Sequence, residues 1–178
     1  MKDVFFPGGV WPVMITPFLA DGSVDEAAYP RLIDYYLEAG CEGLFAICQS
    51  SEMERLSCSE RLKITRLVKQ CAGEKTPVIA VGNLTQGESS QLEETAAIHE
   101  AGADAVILVT NQFARPNEDD QVWLDRCLSF LRKCPTDIPL GFYECPFPYM
   151  RLIATDNLKT LAETGRFFFL KTVFLKEL

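Results

Sequence analysis

Two kinds of segment alternate along the chain. Short unbroken apolar runs, rich in Val, Ile and Phe, are separated by longer stretches whose apolar residues recur every three or four positions. The first kind reads as strands apolar on both faces, the second as helices with one buried stripe. Six strands are expected: Val10–Pro17, Gly43–Cys48, Pro77–Gly82, Ala105–Thr110, Ile138–Cys145 and Arg166–Val173. Pro12 suits the start of the first and Pro17 its end.

Five helices fall between them. The first is capped by Asp25 and runs to about Ala39, with Tyr29, Leu32, Ile33, Tyr36 and Leu37 on one face. Pro30 removes a donor near its first turn, so it starts late or kinks. The second opens on the capping box Ser57-Cys-Ser-Glu60 and closes at Gly73. The third spans about Glu88 to Ala101. The fourth is capped by Asn117, with Glu118, Asp119 and Asp120 in its first turn and Arg132 and Lys133 in its last, which suits the helix dipole. Thr155 caps a short fifth helix carrying Leu158, Leu161 and Ala162.

An internal repeat marks the period. Glu38-Ala-Gly40, Glu100-Ala-Gly102 and Glu163-Thr-Gly165 each close a helix just before a strand. From 38 to 100 is 62 residues and from 100 to 163 is 63, so one strand–helix unit takes about 31. Strict alternation of strand and helix means a parallel sheet covered by helices. A doubly wound sheet and a (β/α)8 barrel both fit. The absence of G-x-G-x-x-G after the first strand, and polar residues at the ends of several strands, favour the TIM-type α/β barrel. Eight such units need about 250 residues. The 178 residues hold just under six, so the expectation is a single incomplete barrel domain over 1–178, carrying strands one to six of eight.

Bulk properties narrow the function. The net charge of −8 argues against nucleic acid or anionic membrane as partners. No apolar run approaches a membrane span, and Met1-Lys2-Asp3 opens no signal-peptide pattern, so a cytoplasmic protein is expected. Seven cysteines with no C-x-x-C, and one histidine, offer no metal set and read as reduced thiols that fill core. His99, near a helix C-terminus, reads as a structural imidazole.

The chemistry gathers at strand ends. Lys171 closes the apolar run Arg166-Phe-Phe-Phe-Leu-Lys171, where aromatic neighbours should desolvate its amine and favour a nucleophile. The alternative is a lysine that snorkels to solvent. Tyr143 ends the preceding strand and suits acid–base work, or is a core tyrosine. Gln49-Ser50-Ser51-Glu52, between the second strand and a capped helix, offers hydroxyls and free N–H groups to a carboxylate, or is only a turn.

At these residues the chain resembles the class I, pyruvate-dependent aldolases that include dihydrodipicolinate synthase and N-acetylneuraminate lyase. The likeness runs through Thr16-Pro17-Phe18, Asp21-Gly22-Ser23-Val24-Asp25, Pro77-Val-Ile-Ala80, Ala101-Gly-Ala-Asp-Ala105, Tyr143 with Pro146, and Lys171. The resemblance implies a (β/α)8 barrel, assembled as a homo-oligomer (tetramer or dimer), that joins a 2-keto acid, usually pyruvate, to an aldehyde or cleaves the product. It implies no metal or organic cofactor. Lys171 matches the Schiff-base lysine and Tyr143 the strand-five tyrosine. Gln49, Ser50 and Ser51 match the substrate-binding loop Gly-Thr-Thr-Gly-Glu, with Gln49 and Ser50 at the hydroxyl positions and Cys48 and Ser51 at the glycines. Phe113 stands where the synthases carry a tyrosine, and Glu144-Cys-Pro-Phe-Pro148 where they carry a segment ending in arginine. Glu144 would suit a hydroxyl-rich or cationic acceptor. The competing expectation is a non-catalytic truncated homologue that binds a keto acid or serves in assembly.

Overall fold

The computed structural model describes residues 6–173. Five strands form one parallel sheet: β1 (Leu44–Ile47), β2 (Val78–Val81), β3 (Ala105–Val109), β4 (Leu140–Tyr143) and β5 (Phe167–Lys171). Their spatial order is their sequence order, and every neighbouring pair is parallel. A doubly wound sheet reverses its order at a switch point, whereas a barrel does not. The sheet is therefore an arc of a barrel.

The helices follow the expected units: α1 (Tyr29–Glu38), α2 (Cys58–Ala72), α3 (Glu88–Glu100), α4 (Asp120–Lys133) and α5 (Thr155–Ala162). The Ser57 capping box forms in full, with Glu60 N–H on the Ser57 hydroxyl and Ser57 N–H on the Glu60 carboxylate. Gly40 and Gly102 take left-handed backbone just past α1 and α3, where a Cβ would be strained.

Four local expectations change. The first expected strand is no strand. Val10–Pro17 contributes one isolated parallel bridge, Val13 with Phe45, held by Met14 N–H to Phe45 O and Phe45 N–H to Pro12 O, both 3.0 Å. Pro12 and Pro17 have no N–H to lengthen the ladder. Asp25 makes no side-chain cap. A 3-10 turn, Glu26–Ala28, precedes α1, and Pro30 sits in its opening turn, so the helix starts late. Asp119 rather than Asn117 caps α4, through Val122 N–H at 2.8 Å. Thr155 is the first residue of α5, not its cap.

β1 to β4 are buried on both faces and form the core. β5 is not. Phe168 is 53% and Leu170 43% exposed, and a groove of about 310 Å³ between β5 and α5 is walled by Phe142, Leu158, Leu161 and Phe167. Inside the arc, Gly141 makes room for packing. A Cβ there would lie 2.6 Å from Ile107 Cδ1 and 2.8 Å from Phe169 Cβ. Phe169 instead fills the lumen against Trp11 and Phe45. This aromatic floor lies one layer beneath the strand ends.

Candidate active site

Tyr143 and Lys171 are register partners at the C-terminal ends of β4 and β5. Side chains alternate along a strand, so Tyr143 follows Gly141 and Lys171 follows Phe169 on the lumen face. The Lys171 amine sits over the Tyr143 ring, 5.4 Å from its centroid. Phe45 packs edge-on against the same ring. Burial, then the nearby Cys48 and Cys145 thiols, push the Tyr143 phenol well above its usual range. It is a neutral acid at any working pH.

The loop after β1 reaches this pair. Tyr143 Oη donates to Gln49 Oε1 at 3.1 Å, joining residues 94 apart in sequence. Gln49–Ser51 form a 3-10 turn, with Glu52 at a left-handed φ of 58°. That conformation costs a non-glycine residue about 1–2 kcal/mol, so the surroundings must hold it. Ser51 supplies part of the hold. Its side chain is fully buried, donating to Met14 O at 2.6 Å and accepting from Cys48 N–H at 3.1 Å. Thr16 adds a hydroxyl bond to Ser51 O at 2.7 Å. The Ser51 hydroxyl thus faces inward under the loop, while Gln49 and Ser50 lie exposed at the rim. Among the described residues the Ser50 N–H has no acceptor, and the Gln49 N–H lies beside the Cys48 sulfur.

The segment after β4 is pinned from β3. The Asn111 amide donates to Phe147 O and Tyr149 O, each at 2.8 Å, and more distantly to Cys145 O. Thr110 Oγ1 donates to Arg151 O at 2.6 Å. Glu144 belongs to the same framework. It is buried and its carboxylate accepts Ile153 N–H at 2.8 Å, so it does not present an acceptor site as the sequence suggests. Phe113, at the expected tyrosine position, is buried against Trp123 and Phe130. His99 has the structural role expected, its Nδ1 within 2.9 Å of Ala103 O. Sequence reasoning places Asn111 at the rim but missed the bonds Asn111 makes and the Gln49–Tyr143 bond. Only the polar run Thr110-Asn111-Gln112 directly after an apolar strand signals the former.

All seven cysteines are free, and burial pushes Cys48 up to about 11, so both thiols beside Tyr143 stay protonated. Among the described residues no group of three His, Cys, Asp or Glu side chains is placed to hold a metal. No helix among them is long and apolar enough to cross a membrane.

The comparisons agree with this fold. A solved dihydrodipicolinate synthase of Acinetobacter baumannii, complexed with pyruvate, superposes with a TM-score of 0.78 at 24% identity, over 89% of this chain and 53% of that one. The Clostridium difficile protein CdNal, in complex with mannosamine, gives 0.80 at 20% identity, over 94% and 57%. They show the fold, a (β/α)8 barrel of which this chain forms an arc. The 4-hydroxy-tetrahydrodipicolinate synthase of Methanothrix thermoacetophila is 34% identical over 140 residues, 78% of this chain and 44% of the relative. That of Laribacter hongkongensis is 30% identical over 151 residues, 84% and 50%. The chain spans about half the length of the curated relatives it matches. The sequence model of the dihydrodipicolinate synthetase family matches residues 6–166, and the chain belongs to that family.

Proposed function

We propose that this chain carries the reacting half of a Schiff-base (class I) aldolase or lyase site acting on pyruvate or a related 2-keto acid, with an aldehyde as second reactant. The observation that carries the reading is the register of Tyr143 and Lys171, which sets an amine over a neutral, buried phenol at the lumen mouth. Lys171 Nζ attacks the C2 carbonyl. Tyr143 gives its proton to the carbonyl oxygen and recovers one from the attacking nitrogen, and the carbinolamine hydroxyl leaves as water with a second proton from Tyr143, giving an iminium and a phenolate. The phenolate takes a C3 proton to give the enamine, which bonds to the aldehyde carbon as the phenol protonates the new alkoxide. Water then frees the product and the lysine.

The substrate carboxylate falls to the rim turn, where the Ser50 hydroxyl and N–H and the Gln49 N–H offer donors near a 3-10 N-terminus. Ser51 supports this clamp from beneath through its carbonyl and buried hydroxyl. The chemistry calls on no metal or organic cofactor. The free thiols fit a cytoplasmic setting. A homo-oligomer is the assembly we favour, since the apolar outer face of β5 is open to a neighbour. That face also supports a second reading, a keto-acid-binding assembly subunit.

Incubation with pyruvate and sodium borohydride, then peptide mapping, tests the reading. A reduced adduct on Lys171 is expected. A folded protein with no adduct, or with the adduct on another lysine, refutes it.

A further inference from the structure

The carboxamide of Gln49 does something a hydroxyl at its position would not. A hydroxyl can take a proton on one side and release its own on the other. An amide oxygen accepts a hydrogen bond but does not pass a proton on at neutral pH. The other polar groups beside the phenol are the two protonated thiols and Lys171. Among the described residues the phenol's one geometric hydrogen bond goes to the Gln49 amide oxygen, and the amine over its ring is the basic group beside it.

We propose that Gln49 is a positioning residue that fixes the Tyr143 O–H and makes Tyr143 a closed proton shuttle, trading protons with Lys171 and bound substrate but not along the rim loop. The inference rests on the Schiff-base reading above and deepens it. With its hydrogen held on Gln49 Oε1 at 3.1 Å, the phenol oxygen keeps its lone pairs for the lysine side. When the amine attacks a keto acid, an N–H bond breaks and a proton joins the phenol oxygen. In the same exchange the phenol's own proton swings from Gln49 to the carbonyl oxygen. No proton enters or leaves through the amide, and the new O–H returns to Gln49 Oε1. The lumen face offers Tyr143 little other orientation, because Phe45 stands edge-on against its ring.

The test needs pyruvate alone. Enamine formation exchanges the pyruvate methyl hydrogens, so its rate is read by proton NMR as loss of the methyl signal in D2O. Gln49→Met keeps the length of the stem and removes the acceptor. It is expected to slow exchange at least about tenfold at saturating pyruvate, with the Lys171 adduct still trapped and half-saturation by pyruvate unchanged. Gln49→Glu is isosteric and guards against a folding failure in the first variant. Its carboxylate should hold the phenol proton harder, so exchange is slow at neutral pH and recovers as the pH falls and the new carboxyl takes up a proton. The wild-type profile has no such limb. Wild-type exchange rates and pH profiles in both variants, with the Lys171 adduct intact, would overturn the role of Gln49 and leave the Schiff base standing. A folded wild type with no adduct overturns both.

Discussion

Glu94→Gln should be among the most damaging single-atom changes in this protein. Glu94 lies in α3 and is buried, and its two oxygens take four bonds. Oε1 accepts Arg61 Nε at 2.9 Å and Arg61 Nη2 at 2.5 Å. Oε2 accepts the N–H groups of Leu84 and Thr85, each at 2.8 Å. Every partner is a donor. A glutamine must turn its NH2 either on the guanidinium or on the two N–H groups, and both directions set donor against donor. Arg61, itself buried, loses its counter-charge in either direction, and with the NH2 turned toward it keeps only Leu56 O. Breaking a buried pair from one side costs about 3–5 kcal/mol. For a domain of this size 1 kcal/mol moves Tm by about 2–4 °C, so a drop of about 6–20 °C is expected. Urea unfolding followed by circular dichroism would measure it, with the slope unchanged. The double change Arg61→Met with Glu94→Gln should recover part of the loss, because the glutamine can keep its oxygen on the Leu84 and Thr85 N–H groups and no guanidinium is then left without a counter-charge. A Glu94→Gln protein within about 1 kcal/mol of wild type would refute the four-bond account.

Replacing Lys171 by Ala should abolish the borohydride adduct with pyruvate, read by peptide mass. Replacing Tyr143 by Phe should keep the fold and slow imine formation about 10²–10⁴-fold, read by timed trapping. Asn111→Ala withdraws two 2.8 Å bonds and a weaker one from the segment after β4. It should cost about 2–4 kcal/mol and raise amide exchange across residues 145–153. Glu118 is held down to about 2, first by the Arg126 guanidinium and then by the Arg115 N–H. Its folded value lies below the ordinary carboxylate value, so its contribution is full above about pH 4.5 and is lost as pH falls toward 2. Glu118→Gln should therefore be less stable than wild type at pH 6 and match it near pH 2, read by thermal melts.

Most of the architecture is local and so can be read from the chain. β2, β3 and the Ser57 capping box each depend on residues within one run. Where a boundary rests on competing local bonds, sequence alone decides less. Asn117, Asp119 and Asp120 all have side chains able to cap, and it is Asp119 that accepts the Val122 N–H, while Glu118 holds Arg126 and the Arg115 N–H. The first strand failed for a related reason. Its apolar content is right, but two prolines leave it too few donors for a ladder.

The site divides along the same line. Lys171 and Tyr143 are visible because each ends an apolar run, and the period-two alternation puts both on one face. The direction of a loop side chain follows no period. Ser50 and Ser51 look equivalent in sequence, yet one lies at the rim and the other is sealed beneath it by Met14 and Cys48. Glu144 looks like a rim carboxylate, yet it lies just past the end of β4, where its carboxylate accepts the Ile153 N–H of the following segment. Gln49 is the sharpest case. Its partner is 94 residues away, and the bond exists only because β1 and β4 are brought to opposite sides of one lumen. The same closure puts an amide where a hydroxyl would relay protons, so what is least legible in the sequence is also what should most distinguish this site's chemistry.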